Sequence, residues 1–395
     1  MVGKNFLISW LCLVLTAPWP MSVRAQFIDG FDTPVVRDET AEAGWLWMTG
    51  DGAAVMDMVA QEGSGLVTVD ARADRRNIWW ALIKRGVSDH IDSGELARPD
   101  RELRIEARIR LSHAPRRVNL HANHSRTTDF HSHLMEYDIP DTDWHEISFT
   151  TTGFDARPGD RVYTQIALMD WGREEYQVEI DWFRVAVVDP AMAEPDKGSP
   201  IPYRPATPAL DAFAQQVPVA QDAIIDSAWP WVAVNDWRRE GKASEPLLSV
   251  SGSQTSLLTF DLSDYAGKTA QQWGVLALYT DSVYKASTDL EEFGELRVKE
   301  VFALPDGWQR GSITWNAVMG QTPPVINGQM MIDVPPVPQK GAVTLIPVSP
   351  PVLQRLIDGK TSGLAIEAQG AISATFRSSQ AREKELRPVL YFNMN

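Results

Sequence analysis

The side chains best equipped for chemistry are crowded into one run. Asn119, His121, Asn123, His124 and Arg126 are followed at once by Asp129, His131, Ser132, His133, Glu136 and Tyr137, and all seven histidines lie between His90 and His145. Imidazole and phenol groups can exchange protons, while Arg and Asn can hold a carboxylate. Three chemistries fit this set. Imidazoles could bind a divalent metal, although no helical His-x-x-x-His pattern or companion carboxylates accompany them. Proton transfer on a uronate sugar is the second. There, β-elimination must neutralise the sugar carboxylate, remove the neighbouring carbon-bound proton and protonate the leaving oxygen. For that reaction His121, His133 and Tyr137 are the acid/base candidates, and Asn123, His124, Arg126 and His131 would hold substrate. The third is plain sugar binding by a sheet whose histidines are structurally satisfied. Hydrolysis needs two acids about 5–10 Å apart, and Glu136, Asp138, Glu174, Glu175 and Glu179 offer no pair that spacing singles out. No Gly-x-Ser-x-Gly elbow is present for a serine hydrolase.

The chain's 395 residues carry 37 Lys+Arg and 52 Asp+Glu, and the formal charge of −15 argues against a general nucleic-acid binder. Residues 72–126 reverse that sign, with 13 basic side chains against seven acids, a local +6. A positive stretch overlapping the histidine run predicts a site for an anionic ligand. The plainer alternative makes Arg104, Arg108 and Arg110 solvated side chains on the outer face of a strand. Fifteen tryptophans could add stacking surfaces for sugar rings. Trp79 and Trp80, beside Lys84 and Arg85, must face opposite sides of a strand, so one of them with Lys84 is the best sugar platform. Trp229 and Trp231 form a second pair.

Strands must position these residues. Leu103, Ile105, Ala107, Ile109 and Leu111 alternate with Arg104, Glu106, Arg108 and Arg110, the period of a half-buried strand. Further strands are expected at 78–84, 117–125, 130–138, 145–151, 162–169 and 177–187, and later at 257–260, 274–279, 364–366 and 388–392. A short helix is expected near Pro351 to Ile357. A tight turn at Arg126 to Asp129 would pair His124 with His131, Ala122 with His133 and Val118 with Tyr137. Asn119, His121, Asn123, Ser132 and Glu136 would then share the opposite, polar face.

Residues 1–25 read as a secretory signal peptide, with Lys4, an apolar run from Phe6 to Leu15, and Val23-Arg24-Ala25 before Gln26. That run is too short to span a bilayer and no later one is longer, so no membrane span is expected. The single Cys12 falls inside it, leaving a cysteine-free mature chain with 35 basic and 52 acidic groups, a net −17. Seven prolines between Pro190 and Pro218 mark a linker at 191–221. The expected organisation is all-β: two β-sandwich or jelly-roll domains at 26–190 and 222–395.

The second domain resembles the DNRLRE-type domain of secreted bacterial proteins. The likeness is carried by Ser256-Leu257-Leu258-Thr259-Phe260-Asp261-Leu262, by Gly311-Ser312-Ile313-Thr314-Trp315-Asn316, and by Phe376-Arg377-Ser378-Ser379 with Arg387-Pro388-Val389-Leu390. It implies a carbohydrate-binding, alginate-type accessory role. The first domain is similar to jelly-roll carbohydrate-active modules through Phe27-Ile28-Asp29-Gly30-Phe31-Asp32 and Val178-Glu179-Ile180-Asp181-Trp182-Phe183-Arg184-Val185. That resemblance implies a structural Ca2+ held by Asp29 and Asp181 where first and last strands meet; otherwise both acids cap turns. Jelly-roll polysaccharide lyases also place His and Tyr on a concave sheet with Arg or Asn nearby. The combined expectation is a secreted lyase for a uronate-containing polysaccharide of alginate, ulvan, glucuronan or glycosaminoglycan type, needing no cofactor for its chemistry. The alternative is a non-catalytic, two-module polysaccharide-binding protein.

Overall fold

The computed structural model describes residues 26–50, 53–74, 80–202, 205–236, 246–285, 294–329 and 331–395. The expected signal peptide therefore lies outside the described residues, and so does Trp79. The chain is all-β with three short helices among the described residues: α1 (Ser93–Leu96), α2 (Trp315–Met319) and α3 (Pro350–Ile357). None is long and apolar enough to cross a membrane.

The first domain is a sandwich of two sheets. One orders β3 (Val55–Gln61), β4 (Ser64–Asp70), β11 (Glu175–Val188), β6 (Glu102–Leu111) and β9 (His145–Thr150), with β1 (Phe27–Asp29) also on β11. The other orders β12 (Pro200–Ile201), β8 (Leu134–Ile139), β7 (Arg116–His124), β10 (Val162–Leu168), β5 (Ala81–Gly86) and β2 (Trp45–Thr49). Strict alternation sends one side of each strand inward. Ile105, Ile109, Val178 and Phe183 from the first sheet thus meet Leu120, Tyr137, Ile166 and Trp45 from the second in one core.

The second domain runs through β13 (Gln215–Asp226), β14 (Leu247–Val250), β15 (Gln254–Phe260), β16 (Gly274–Lys285), β17 (Glu295–Val301), β18 (Ile332–Val334), β19 (Val343–Val348), β20 (Gly363–Gln369), β21 (Ile372–Arg377) and β22 (Val389–Phe392). Strands β13 and β16 each change partners part-way along at a register shift, which carries the ladder from one sheet to the next. Ser349 precedes α3 and Pro350 and Pro351 open it, so the helix falls where the prolines fit its first turn. Val352, Leu353, Leu356 and Ile357 then anchor it in the core.

The segment expected as a linker is structured over much of its length. Arg104 grips the Glu194 carbonyl and Asp196, Lys197 N–H donates to Ser148 Oγ at 2.7 Å, and β12 pairs with Tyr137 and Glu136. This strap crosses from the β9 edge of one sheet to the β8 edge of the other. Strand β13 begins at Gln215, inside the expected linker, and includes Pro218.

Candidate functional site

The β7–β8 hairpin keeps the expected register. Val118 pairs with Tyr137, Asn119 with Glu136 and His121 with Leu134, and Ala122 N–H donates to the His133 carbonyl at 3.0 Å. The tight turn does not form, because the strands end at His124 and resume only at Leu134. Extending the ladder across β10, β5 and β2 gives the outward rows. One row is Leu134, His121, Gln165, Lys84 and Leu46; the next is Glu136, Asn119, Ala167, Leu82 and Met48. Asn123 stands beside Tyr163 in a third. Residues on one strand of this face lie about 7 Å apart, and strands about 5 Å apart.

This face has polar atoms that the protein does not satisfy. Asn119 Oδ1, His121 Nε2 and both amide atoms of Asn123 are buried without a hydrogen-bond partner among the described residues. A buried polar group left unmatched costs about 1–3 kcal/mol, so the four atoms on alternate residues of this strand call for partners beyond those the described protein atoms supply. His121 is 8% exposed. Burial pushes its pKa down to about 4 and nearby His131 opposes protonation too, while the ring's bond to the Phe130 carbonyl acts the other way. A neutral imidazole with one nitrogen committed to a carbonyl offers Nε2 as an acceptor. Phe130, on the loop joining β7 and β8, is itself exposed. Apolar footing comes from Met48, 42% exposed, with half-buried Leu46, Leu82 and Trp80. The Trp80 carbonyl continues the ladder to Gly50, which turns its indole outward like Leu82.

The expected acid/base trio is corrected by this geometry, since its members occupy three environments. Tyr137 is 0% exposed in the inter-sheet core, and its hydroxyl donates to the Ser148 carbonyl. Burial drives its pKa far upward, so it neither meets solvent nor yields a proton. His133 turns to the end of the sandwich, where it and His124 pack edge-on to Phe154 at 5.1 and 5.3 Å. Burial lowers the His133 pKa. His121 alone of the three stands on the outward face. His131, also near it, bonds Asp129 at 3.3 Å.

The basic stretch is also corrected. Eleven of its 13 cations are described, and Arg72, Arg98, Arg101, Arg104, Arg108, Arg110, Arg116, Arg117 and Arg126 all face carboxylates. Arg126 is held by Asp160 at 2.9 Å and by the Asp155 carbonyl, which removes it as the expected carboxylate clamp. Arg85 points inward and caps the Glu42 and Gly44 carbonyls. Lys84 is the exception. It sits 4.0 Å over the Tyr163 ring, half-buried and with its pKa lowered by burial, and no carboxylate pairs with it among the described residues.

The residues expected to hold Ca2+ do not suit it. Asp29 accepts from the Trp45 indole at 2.8 Å and Phe31 N–H at 2.9 Å, while Asp181, at the β11 register shift, is paired with Arg108. A guanidinium competes with a cation for the same oxygens. Among the described residues no group of three or more His, Asp or Glu is arranged for a metal. In the second domain Trp231 is 79% exposed beside Trp229.

Sequence reasoning missed Gln165, Tyr163, Leu82 and Met48. The alternation of Tyr163, Gln165 and Ala167 along 162–169 carried the signal, but only the register across β10 puts them beside β7.

No family model and no curated protein matches this chain. Among solved structures, a CBM4 structure is similar at 15% identity over 40% of this chain and 97% of that one, with a TM-score of 0.31. The CBM22-1–CBM22-2 tandem domain of Paenibacillus barcinonensis Xyn10C is 11% identical over 95% of this chain and 97% of its own, with a TM-score of 0.28. A cyclase from Fischerella sp. TAU is 13% identical over 42% of this chain and 96% of its own, also with a TM-score of 0.28.

Proposed function

We propose that this is an exported, non-catalytic polysaccharide-binding protein whose ligand lies on the outward face of β7, β10, β5 and β2. The observation that carries this reading is the row of unmatched buried atoms on Asn119, His121 and Asn123 beside an apolar strip. Amide and imidazole groups can give to and accept from sugar hydroxyls, and Leu82, Met48 and Trp80 suit the apolar face of a pyranose. Lys84, the one described cation of the basic stretch with neither a carboxylate nor a backbone carbonyl, suits a single carboxylate, which favours a uronate-bearing chain. With Tyr137 in the core and His133 at the rim, β-elimination would have to proceed from His121 without those partners.

The test is affinity electrophoresis and titration calorimetry with alginate, ulvan, glucuronan and glycosaminoglycans against a neutral glucan. Uronate chains should be retained without any rise in the ultraviolet absorbance of an unsaturated product. Asn123→Ala should weaken binding by about tenfold, as one or two hydrogen bonds are lost. Lys84→Met should remove the preference for uronate over neutral chains and the salt dependence with it. Product absorbance, or full affinity in Asn123→Ala, would overturn the reading.

A further inference from the structure

The polar face of β7 and β8 is shared between two occupants. At the end nearest the second domain, Arg117 and Asp138 oppose each other across the ladder. There Arg355 of α3 donates to the two Asp138 oxygens at 2.7 and 2.8 Å and to those of Glu300 at 2.8 and 2.9 Å. All three side chains are buried, and one guanidinium serves two carboxylates. Gln329 accepts from Arg117 N–H at 2.6 Å and donates to the Met169 carbonyl at 3.0 Å. Asn327 receives the Arg116 guanidinium. One step along the face Glu136 turns back to Arg117 at 2.9 Å, opposite Asn119. Beyond that point on this face lie the unmatched atoms of Asn119, His121 and Asn123.

We propose that Arg355 is a positioning residue that clamps the second domain onto this face as a fixed wall and so sets the geometry of the Asn119–His121–Asn123 row. Buried charge-assisted bonds tolerate few arrangements, and α3 is itself fixed by Val352, Leu353 and Leu356 in the second core. Strands β7 and β8 are thus held at Arg117 and Asp138, two residues along β7 from Asn119. The role for ligand rests on the reading of the face as a saccharide site; the clamp itself does not.

The test is hydrogen–deuterium exchange of the full chain together with polysaccharide affinity. Arg355→Met should speed exchange across Arg116 to His124 by about tenfold or more, with β20 to β22 unchanged, and weaken binding of the retained polysaccharide by a similar factor. Arg355→Lys should recover part of both. Asp138→Asn, which leaves one carboxylate for one guanidinium, provides a folded variant if Arg355→Met aggregates, and should raise exchange in the same peptide. Wild-type exchange in that peptide for either variant would overturn the proposal, whatever the affinity. If the wild-type protein binds none of the polysaccharides, a local rise in exchange still supports the clamp, and it is the binding reading that fails.

Discussion

His121 shows how environment decides what a residue can do. In an exposed hairpin its imidazole would titrate near neutrality and serve as an acid or a base. Here burial holds its pKa at about 4 against an ordinary 6.5, so it is neutral at pH 7 and acts as a hydrogen-bond acceptor. The unfolded chain takes up this proton more readily than the folded one between those two values. Stability is therefore complete above about pH 6.5 and is lost as pH falls toward 4, by up to about 3 kcal/mol from this group. Denaturant unfolding followed from pH 7 to 4 should have a shallower acid limb in His121→Asn than in the parent chain. An unchanged limb would mean that the imidazole is not desolvated. Lys84 makes the matching point about charge: twelve arginines share its segment, yet it alone of the described cations there lacks both a carboxylate and a carbonyl.

Among elements, the strap at 194–201 is the one that sequence composition misread. Its prolines and small residues resemble a free tether, but they also suit an extended chain lying across two strand edges. Gly198 makes that crossing possible. It has φ +93, and a Cβ there would come within 2.9 Å of the Tyr137 ring and 3.0 Å of Ile147. Gly198→Ala should cost about 1–3 kcal/mol through crowding alone, more once the left-handed backbone is counted, measured as a lower midpoint in urea. Near-neutral behaviour would show that the strap gives way without loss. The β7–β8 hairpin, by contrast, has the register that the expected turn implied although that turn does not form, and alternating Val118, Leu120 and Ala122 settle only which side is buried.

At the scale of the whole molecule, the two domains have separate cores and a charged joint. Removing the partner entirely differs from removing one charge. A fragment ending at Pro202 would expose Arg116, Arg117 and Asp138 to water, which solvates them. Arg355→Met in the full chain would leave Asp138 and Glu300 buried without their cation. The fragment 26–202 should therefore unfold cooperatively by circular dichroism while binding polysaccharide more weakly than the full chain. A fragment without a cooperative melt would mean that the first core depends on the second domain.

The sequence by itself determined the all-β class, most strand positions and the grouping of Asn119, His121 and Asn123 on one face. Each follows from period-two alternation, which is local and needs no knowledge of distant chain. It also located the basic stretch, but not its fate. Only the tertiary structure decided that the partners of Arg108 and Arg110 are Asp181 and Glu179, and that Gln165 and Lys84 join the same row as His121. Those pairings link residues far apart in the chain. Charge neutralisation, burial and desolvation are properties of such pairings and not of any single segment.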